Sequence, residues 1–382
     1  MKILIVGERY SENLGDAVIC ETVYNILKEE YVDADFDFFD LSGRVDYNTY
    51  YSYKKNLIKK AKWFIFDIII GIISKPFNEL YIKDKQRYRR TIELYTATCK
   101  KSNYDIVIFA GGALFMDFFS GLLFFLVRKL SKKKCKIVFH SCGMGALSSN
   151  SVFLLNKMFE NPSIKCISLR DSLKKFNDLF NVKCYFKETS DTALNCSKIY
   201  KASAIKEADY GIGVMSIPEY YSFQLELVKK FYSSQYSWKL FTNGAPWDQK
   251  TAYSILKDIG VKEDELDKYI VKRPLNSQEL INTITSFNTI VSYRMHSQII
   301  ASSFLISNCG FVWDNKVKEF YSKLGFSSFC FHPRDIEHCW KLIISKKRMD
   351  LTILKQSVFE SAEQSRNCLL EELSIAERSE AL

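Results

Sequence analysis

The stretch FNTIVSYRMH, residues 287–296, indicates the fold of this 382-residue chain more clearly than any other. Its first part is a short apolar run rich in β-branched side chains, which predicts a buried strand. Arg294 and His296 follow where that run gives way to a helical pattern over residues 298–304. Open α/β sheets bind ligands at the carboxyl ends of their strands, so we expect a permanent cation and a titratable imidazole at one such edge. A purely structural histidine is the alternative.

Four apolar runs in the first half of the chain are also predicted to be buried strands, and each ends in small, polar or charged residues. They cover residues 2–6, 105–110, 136–140 and 164–169. The pair Gly111 and Gly112 follows the second run, where glycines allow a ligand to approach the backbone closely. A series of buried strands that each end in small, polar or charged residues is typical of a parallel sheet with a cleft along one edge.

After a polar link near residues 197–209, the alternation of strands and helices restarts. Strands are predicted at 210–215, 238–242 and 269–271, and helices over about 220–233 and 277–285. The sequence therefore predicts an α/β protein with two Rossmann-like domains, at 1–200 and 205–345, followed by a helical tail at 346–382. The first domain carries an insertion at about 44–104.

The turn SENLGD, residues 11–16, lies between the first strand and a helix predicted from residue 17 to about residue 30. Backbone N–H groups at such a turn point at whatever lies above the sheet, which makes Asn13, Gly15 and Asp16 candidates for binding an anion or a hydroxyl. A turn glycine and a helix-capping Asp are the structural alternative. The spacing matches neither a dinucleotide fingerprint nor a Walker loop, so no bound dinucleotide or ATP is indicated.

Composition narrows the class of partner. The formal net charge of +10 favours anionic partners, but no Arg-rich arm or zinc-finger spacing indicates nucleic acid. Eleven cysteines are scattered singly without a Cys-x-x-Cys pair, which predicts buried thiols in a reducing compartment rather than disulfides or metal ligands. The first residues turn polar too soon for a signal peptide, so we expect a cytoplasmic protein.

The insertion has a basic stretch beside an apolar one. Five lysines between positions 54 and 62 precede an apolar run at 63–73 that is interrupted by Asp67 alone. That run is too short to span a bilayer. It either rests on an anionic membrane surface at the inner face of the cell membrane or packs as a helical insertion on its own domain. The apolar stretch at 118–127 poses the same question.

Seven short motifs, taken in order, resemble the polysaccharide pyruvyltransferase family. They are Asn13-Leu14-Gly15-Asp16, Gly111-Gly112, Gly143-Met144-Gly145, Arg170-Asp171, Asp191, Arg294-Met295-His296 and Asp314-Asn315-Lys316. The resemblance runs from about residue 3 to residue 325. It implies a GT-B-like pair of Rossmann-type domains facing a cleft, phosphoenolpyruvate as donor, and transfer of a pyruvyl ketal to a saccharide. Lys174 stands where the family commonly has Ser, and Asn315 where it often has Pro.

The residue types suit that chemistry. Phosphoenolpyruvate carries a phosphate and a carboxylate, so its site needs several cations. Arg170 and Lys316 are expected to hold the donor, and Arg294 and His296 to act in catalysis, with His296 as the acid that protonates the enol carbon. No metal or other cofactor is required.

The saccharide acceptor is expected to bind to the first domain. It is either a lipid-linked saccharide or one without a lipid. Its predicted binding residues are Asn13, Gly15, Asp16, Gly111, Gly112 and Asp117. Asp16, Asp117 or Asp191 could accept hydroxyl protons, with capping or support of the fold as the alternative for each. Two other functions stay open at this point: a GT-B glycosyltransferase using a nucleotide sugar, and a non-catalytic member that binds glycan. The acceptor sugar and the oligomeric state are not indicated.

Overall fold

The computed structural model describes residues 1–51, 57–345 and 349–379. The chain forms two compact units, each built on a sheet whose strands are all parallel. Unit 1 contains Met1–Tyr10, Val23–Ser190 and Asn367–Leu382, and unit 2 contains Ser11–Thr22 and Asp191–Arg366. The predicted α/β class with two Rossmann-type sheets is confirmed.

The first half of the chain supplies six strands and seven helices within the described ranges. The strands are β1 (Lys2–Gly7), β2 (Asp35–Asp40), β3 (Ile106–Phe115), β4 (Lys136–Met144), β5 (Ile164–Leu169) and β6 (Tyr185–Glu188). The helices are α1 (Leu14–Glu30), α2 (Leu57–Ile73), α3 (Lys75–Lys83), α4 (Lys85–Thr98), α5 (Asp117–Ser131), α6 (Ser149–Phe159) and α7 (Leu173–Leu179). The sheet of unit 1 has the order β2-β1-β3-β4-β5-β6.

The second half supplies the sheet of unit 2 and the C-terminal helices. The strands are β7 (Ala208–Gly213), β8 (Trp238–Phe241), β9 (Phe287–Ser292), β10 (Ser307–Phe311) and β11 (Cys330–Phe331). The helices are α8 (Tyr221–Tyr232), α9 (Pro246–Asp258), α10 (Ser277–Thr285), α11 (Met295–Ser303), α12 (Asn315–Lys323), α13 (Ile336–Ile344) and α14 (Leu351–Arg378). The strand order is β11-β10-β9-β7-β8. Strand β9, which was predicted from the stretch at residues 287–296, is therefore at the centre of the sheet.

Two predicted strand ends are wrong. Strand β3 continues through Gly111 and Gly112 to Phe115, and β4 continues past His140 to Met144. Gly111 and Gly112 have φ values of 55° and 76°, and the pairing register shifts between Gly112 and Phe115. The glycines therefore make an irregularity inside a central strand, because they alone adopt this left-handed conformation without strain.

The units do not follow the predicted domain boundaries. Ser11–Thr22, the first part of α1, belongs to unit 2, although the prediction placed it in the N-terminal domain. Asn367–Leu382, from the predicted helical tail, belongs to unit 1. The strand predicted at 269–271 is wrong, since only an isolated bridge between Leu240 and Ile270 forms there.

The insertion consists of three helices, α2 to α4, and two of the predicted lysines, Lys54 and Lys55, lie outside the described residues. Most of the apolar stretch in α5 packs in the core of unit 1, so its apolar character has a structural cause. In the described ranges, no helix has the length and apolar character to cross a bilayer. Nine of the eleven cysteines are buried and the other two are half-buried, which confirms the prediction of buried thiols for those nine.

Candidate active site

Arg294 stands between the central strand β9 and helix α11, at the carboxyl edge of the unit 2 sheet. A carboxylate on α9 holds its guanidinium: Asp248 Oδ2 accepts hydrogen bonds from Arg294 Nε at 2.9 Å and lies 2.7 Å from Arg294 Nη2. Burial raises the pKa of the fully buried Asp248, and the charge of Arg294 opposes that rise. Arg has five N–H donors, so this bond orients the guanidinium and leaves further donors for an anion.

His296 is the second residue of α11 and is 7% exposed. The backbone of Gly15, in α1, lies directly against its imidazole. A Cβ atom placed on Gly15 would come within 3.0 Å of His296 Cβ, Cγ and Nδ1, a separation that real Cβ atoms essentially never show. Gly15 is therefore required by packing, because any side chain there would displace the histidine. The turn glycine of the sequence motif and the predicted acid are direct neighbours.

The loop after β8 joins α1 to α11. Leu14 N donates to the carbonyl of Asn243 at 3.0 Å, and Ser297 Oγ donates to Asn243 Oδ1 at 2.6 Å. Asn13 Nδ2 donates to Asp16 Oδ2 at 2.7 Å. Two buried atoms of this network, Asn243 Nδ2 and Asn13 Oδ1, have no hydrogen-bond partner in the described part of the chain. Buried polar atoms are normally satisfied, so these two are exceptions within the network.

Lys316 lies at the start of α12, which follows β10, the strand next to β9. Its ammonium stands 4.5 Å from the centre of the Trp313 ring and 3.6 Å from Asp314 Oδ2. Trp313 Nε1 donates to the carbonyl of Tyr293 at 2.6 Å, which ties the loop of Lys316 to the loop of Arg294. The two cations are thus anchored to adjoining strand ends.

Helix dipoles add to the positive charge at this edge. Helices α9, α11 and α12 begin directly after β8, β9 and β10 respectively, so their amino ends point to the same side of the sheet. Each amino end carries roughly half a positive charge from its unpaired N–H groups. The edge therefore combines an imidazole, two cations and three helix amino ends, an arrangement suited to an anion.

The remaining predicted donor residue, Arg170, lies in unit 1 at the end of β5 and is 6% exposed. Its Nε donates to Asp171 Oδ2 at 3.3 Å, and Asp171 Oδ1 accepts from Met144 N at 3.0 Å. A Cβ atom on Gly143 would come within 3.0 Å of Asp171 Oδ2, so this glycine makes room for the pair. The Gly-Met-Gly and Arg-Asp motifs therefore form one packed cluster.

Two candidate bases have structural tasks in the fold. Asp117 Oδ1 accepts from Ser148 N at 2.6 Å, and although burial raises its pKa, bonds from Ser148 and Ser151 bring that pKa below the usual value. Asp191 Oδ1 accepts from Ala193 N at 2.9 Å and caps a short 3₁₀ turn. For both residues the geometry favours the structural alternative.

The structure separates the predicted site residues into two sets. Unit 2 contains Asn13, Gly15, Asp16, Arg294, His296 and Lys316, and unit 1 contains Gly111, Gly112, Asp117 and Arg170. The prediction that the whole acceptor set lies on the N-terminal domain is therefore wrong for Asn13, Gly15 and Asp16. Sequence reasoning missed Asn243 and Asp248 as part of the site, although a polar turn after a buried strand was the available signal.

A third group of polar side chains was also missed. His140, Cys368 and Glu372 are buried in unit 1 with their potential ligand atoms within 4.8 Å of one another. His140 Nδ1 lies 2.7 Å from Glu372 Oε2. Burial lowers the pKa of His140, but the carboxylate outweighs it and brings the value to about 9, so the pair is ionic.

Comparison with known proteins agrees with the resemblance carried by the seven motifs. A family model described as polysaccharide pyruvyl transferase matches residues 13–315, from the Asn13 turn to the start of α12. The chain belongs to the polysaccharide pyruvyl transferase family. The match includes every candidate site residue except Lys316, which lies one position beyond its end. A search of curated proteins gave no match.

Solved structures show the fold of this family member. A protein described as a UDP-N-acetylglucosamine 2-epimerase from Listeria monocytogenes has a TM-score of 0.58 at 12% identity, over 100% of this chain and 98% of that one. A UDP-GlcNAc 2-epimerase from Methanocaldococcus jannaschii gives 0.52 at 12% identity, over 98% and 99%. A glycosyltransferase from Rickettsia africae ESF-5 gives 0.52 at 12% identity, over 99% of each chain. These likenesses show a GT-B-like fold.

Proposed function

We propose that this protein transfers a pyruvyl group from phosphoenolpyruvate to a saccharide as a ketal, in the cytoplasmic assembly of a cell-surface polysaccharide. The observation that carries the proposal is the edge of the unit 2 sheet, where His296, Arg294 and Lys316 are fixed beside three helix amino ends. Family membership supports the transferase class. The two anionic groups of phosphoenolpyruvate match this concentration of positive charge, which supports its assignment as the donor.

In this scheme Lys316 and Arg294 bind the phosphate and carboxylate of the donor. Asp248 holds the Arg294 fork in position, and a fixed fork costs less ordering than a free side chain when an anion binds. In unit 1, Asp171 holds the guanidinium of Arg170, whose role in donor binding stays a prediction. No metal or organic cofactor is part of the proposal.

His296 acts as the general acid. It gives a proton to the methylene carbon of the enol, and a hydroxyl of the saccharide bonds to the adjacent carbon while losing its own proton. A second hydroxyl of the same sugar then bonds to that carbon, phosphate leaves with its bridging oxygen, and the proton of the second hydroxyl is released. An unperturbed imidazole has a pKa of about 6.5, which suits proton transfer near neutrality.

The unsatisfied atoms near His296 are assigned to the acceptor. Asn243 Nδ2 can donate to a saccharide oxygen, and Asn13 Oδ1 can accept from a saccharide hydroxyl. Both atoms lie in the network that joins α1 to α11. The acceptor is thus proposed to bind unit 2 close to the acid, while the acceptor role of Gly111 and Gly112 in unit 1 stays a prediction.

The test is phosphate release from phosphoenolpyruvate by the purified protein, with nucleotide-linked and lipid-linked saccharide pools supplied separately. His296→Gln keeps most of the side-chain volume and is expected to lower acceptor-dependent release by about 10²- to 10⁴-fold. His338→Gln, at an exposed histidine of α13, is the matched control and should leave release unchanged.

The outcomes separate the possible reactions. Acceptor-dependent release that depends on His296 and not on His338 establishes pyruvyl transfer. If neither pool stimulates release, and the protein instead consumes a nucleotide sugar, it is a glycosyltransferase on the same fold.

A further inference from the structure

Helix α2 carries a continuous apolar face that is open to solvent. Phe64, Ile65, Ile68, Ile69 and Ile72 are 66%, 55%, 47%, 46% and 79% exposed. Their spacing places all five on one side of the helix. Five large apolar side chains within nine residues are far more than the scattered exposure that a soluble surface normally shows, and such patches mark interaction sites.

The opposite face of α2 fixes this orientation. Trp63 is 4% exposed and its Nε1 donates to Glu93 Oε1 at 3.0 Å. Asp67 accepts a hydrogen bond from the hydroxyl of Tyr81 at 2.6 Å and from Lys85 Nζ at 2.5 Å. Rotating α2 to hide its isoleucines would break all three bonds and turn the buried Trp63 out to solvent. The exposed apolar face is therefore a built feature of unit 1.

An apolar groove with a basic rim adjoins this face. It encloses a cavity of about 320 Å³ between α2, α3 and α5, with Phe77 and Phe125 among its walls. Arg128, Lys129 and Lys132 line the same cavity and are exposed. The volume is at the lower end of ligand pockets, which run from roughly 300 to 1,000 Å³. A groove of apolar walls and cationic rim matches a hydrocarbon chain joined to an anionic head group.

The rim charges lack an acidic partner among the residues that the structure describes. In the described ranges, no carboxylate forms an ion pair with Arg128, Lys129 or Lys132. Burial lowers the pKa of Lys129, and repulsion from Lys132, Arg128 and Lys100 lowers it further. An anion placed at this rim would relieve that repulsion.

We propose that the outward face of α2 and the rim of α5 dock unit 1 on the surface of an anionic phospholipid bilayer. The isoleucines and Phe64 enter the boundary between head groups and acyl chains, as the apolar face of an interfacial helix does. Arg128, Lys129 and Lys132 bind the phosphate head groups, and the groove receives part of one acyl chain. A second copy of this chain fits less well, because a two-fold contact would bring two cationic rims together.

The test is sedimentation of the full-length protein with phosphatidylcholine vesicles, with and without phosphatidylglycerol, at low and high salt. The wild-type protein should bind the anionic vesicles and lose most of that binding at high salt. The triple variant Arg128→Gln, Lys129→Gln and Lys132→Gln should bind at least tenfold more weakly, since a cation near such a surface contributes about fivefold. Its charge-matched control is Lys183→Gln, Lys250→Gln and Lys272→Gln, at three exposed lysines elsewhere.

The apolar half is tested with Ile65→Ser and Ile72→Ser together, which should also weaken binding by tenfold or more. The control pair is Phe153→Ser and Val32→Ser, whose 50% and 79% exposure match the isoleucines. Equal binding to neutral and anionic vesicles, or none to either, overturns the proposal. So does a dimer, seen by light scattering, that the isoleucine variant abolishes while vesicles stay unbound. Because these residues lie outside the catalytic edge, phosphate release with a soluble acceptor reports separately on the transferase.

Discussion

Replacing Gly15 by Ala tests the contact between the first helix and the proposed acid. The added methyl would come within 3.0 Å of three His296 atoms, so helix and imidazole must separate by about 1 Å to reach ordinary contact at 3.4 Å. Overpacking of this kind costs about 1–3 kcal/mol. The gain in helix propensity, about 0.5–1 kcal/mol, offsets only part of it. We therefore expect a net loss of about 0.5–2 kcal/mol in the free energy of unfolding.

The larger effect is expected on catalysis. A displacement of about 1 Å at a reacting group can lower the rate by about 100-fold, so kcat for phosphate release should fall much more than stability does. The matched control is Gly71→Ala in α2, where the nearest atom to an added methyl is Asn78 Nδ2 at 4.0 Å. That change should keep full activity and leave Tm equal or slightly higher.

The assay pairs thermal unfolding with steady-state phosphate release for both variants. If Gly15→Ala matches the wild-type protein in Tm and kcat, the reasoning is refuted, because the glycine then has no packing reason to be there. An equal loss in both glycine variants would also contradict it.

Three further results are expected. The pKa of His140 is raised to about 9, so its ion pair with Glu372 stabilises the fold fully below about pH 6.5 and is lost as the pH rises through about 9. We therefore expect Tm, measured from pH 6 to 10, to fall more steeply in the wild-type protein than in His140→Gln. Parallel curves would contradict this. Asp248→Asn should raise KM for phosphoenolpyruvate about tenfold, because Arg294 loses its charged anchor, and an unchanged KM would separate this pair from donor binding. Gly143→Ala should lower Tm through a loss of about 1–3 kcal/mol, measured by denaturant titration, and an unchanged midpoint would show that the cluster has room for a methyl group.

Much of the fold follows from local patterns in the sequence. Strands β1, β3, β4, β5, β7 and β9 are apolar runs that end in turn residues, and this pattern predicts them. Strand β10, sequence SNCGF, is an interior strand that the pattern does not predict. Strand β2, sequence DFDFFD, was missed because three acidic residues disfavour a strand. Its place at the edge of the sheet explains why they are tolerated, since an edge strand can expose alternate side chains to water.

The candidate site was only partly predictable for a different reason. The motifs identified Gly15 and His296 separately, but their contact joins residues far apart in sequence, and no local pattern encodes it. The same holds for His140 and Glu372, which are 232 positions apart. Sequence patterns predict which element a residue occupies, whereas long-range packing decides which residues become neighbours.

The division of the chain into units has a consequence for its synthesis. Most of the N-terminal half belongs to unit 1, yet this unit is completed by Asn367–Leu382, which leave the ribosome long after its other segments. At 5–20 residues per second, roughly 10 to 40 s separate the appearance of Ser190 from that of Glu372. Throughout that interval the buried surface around His140 lacks its ionic partner and the helix that covers it. The nascent chain is therefore expected to remain a chaperone substrate until α14 emerges, and truncation before Glu372 should destabilise unit 1.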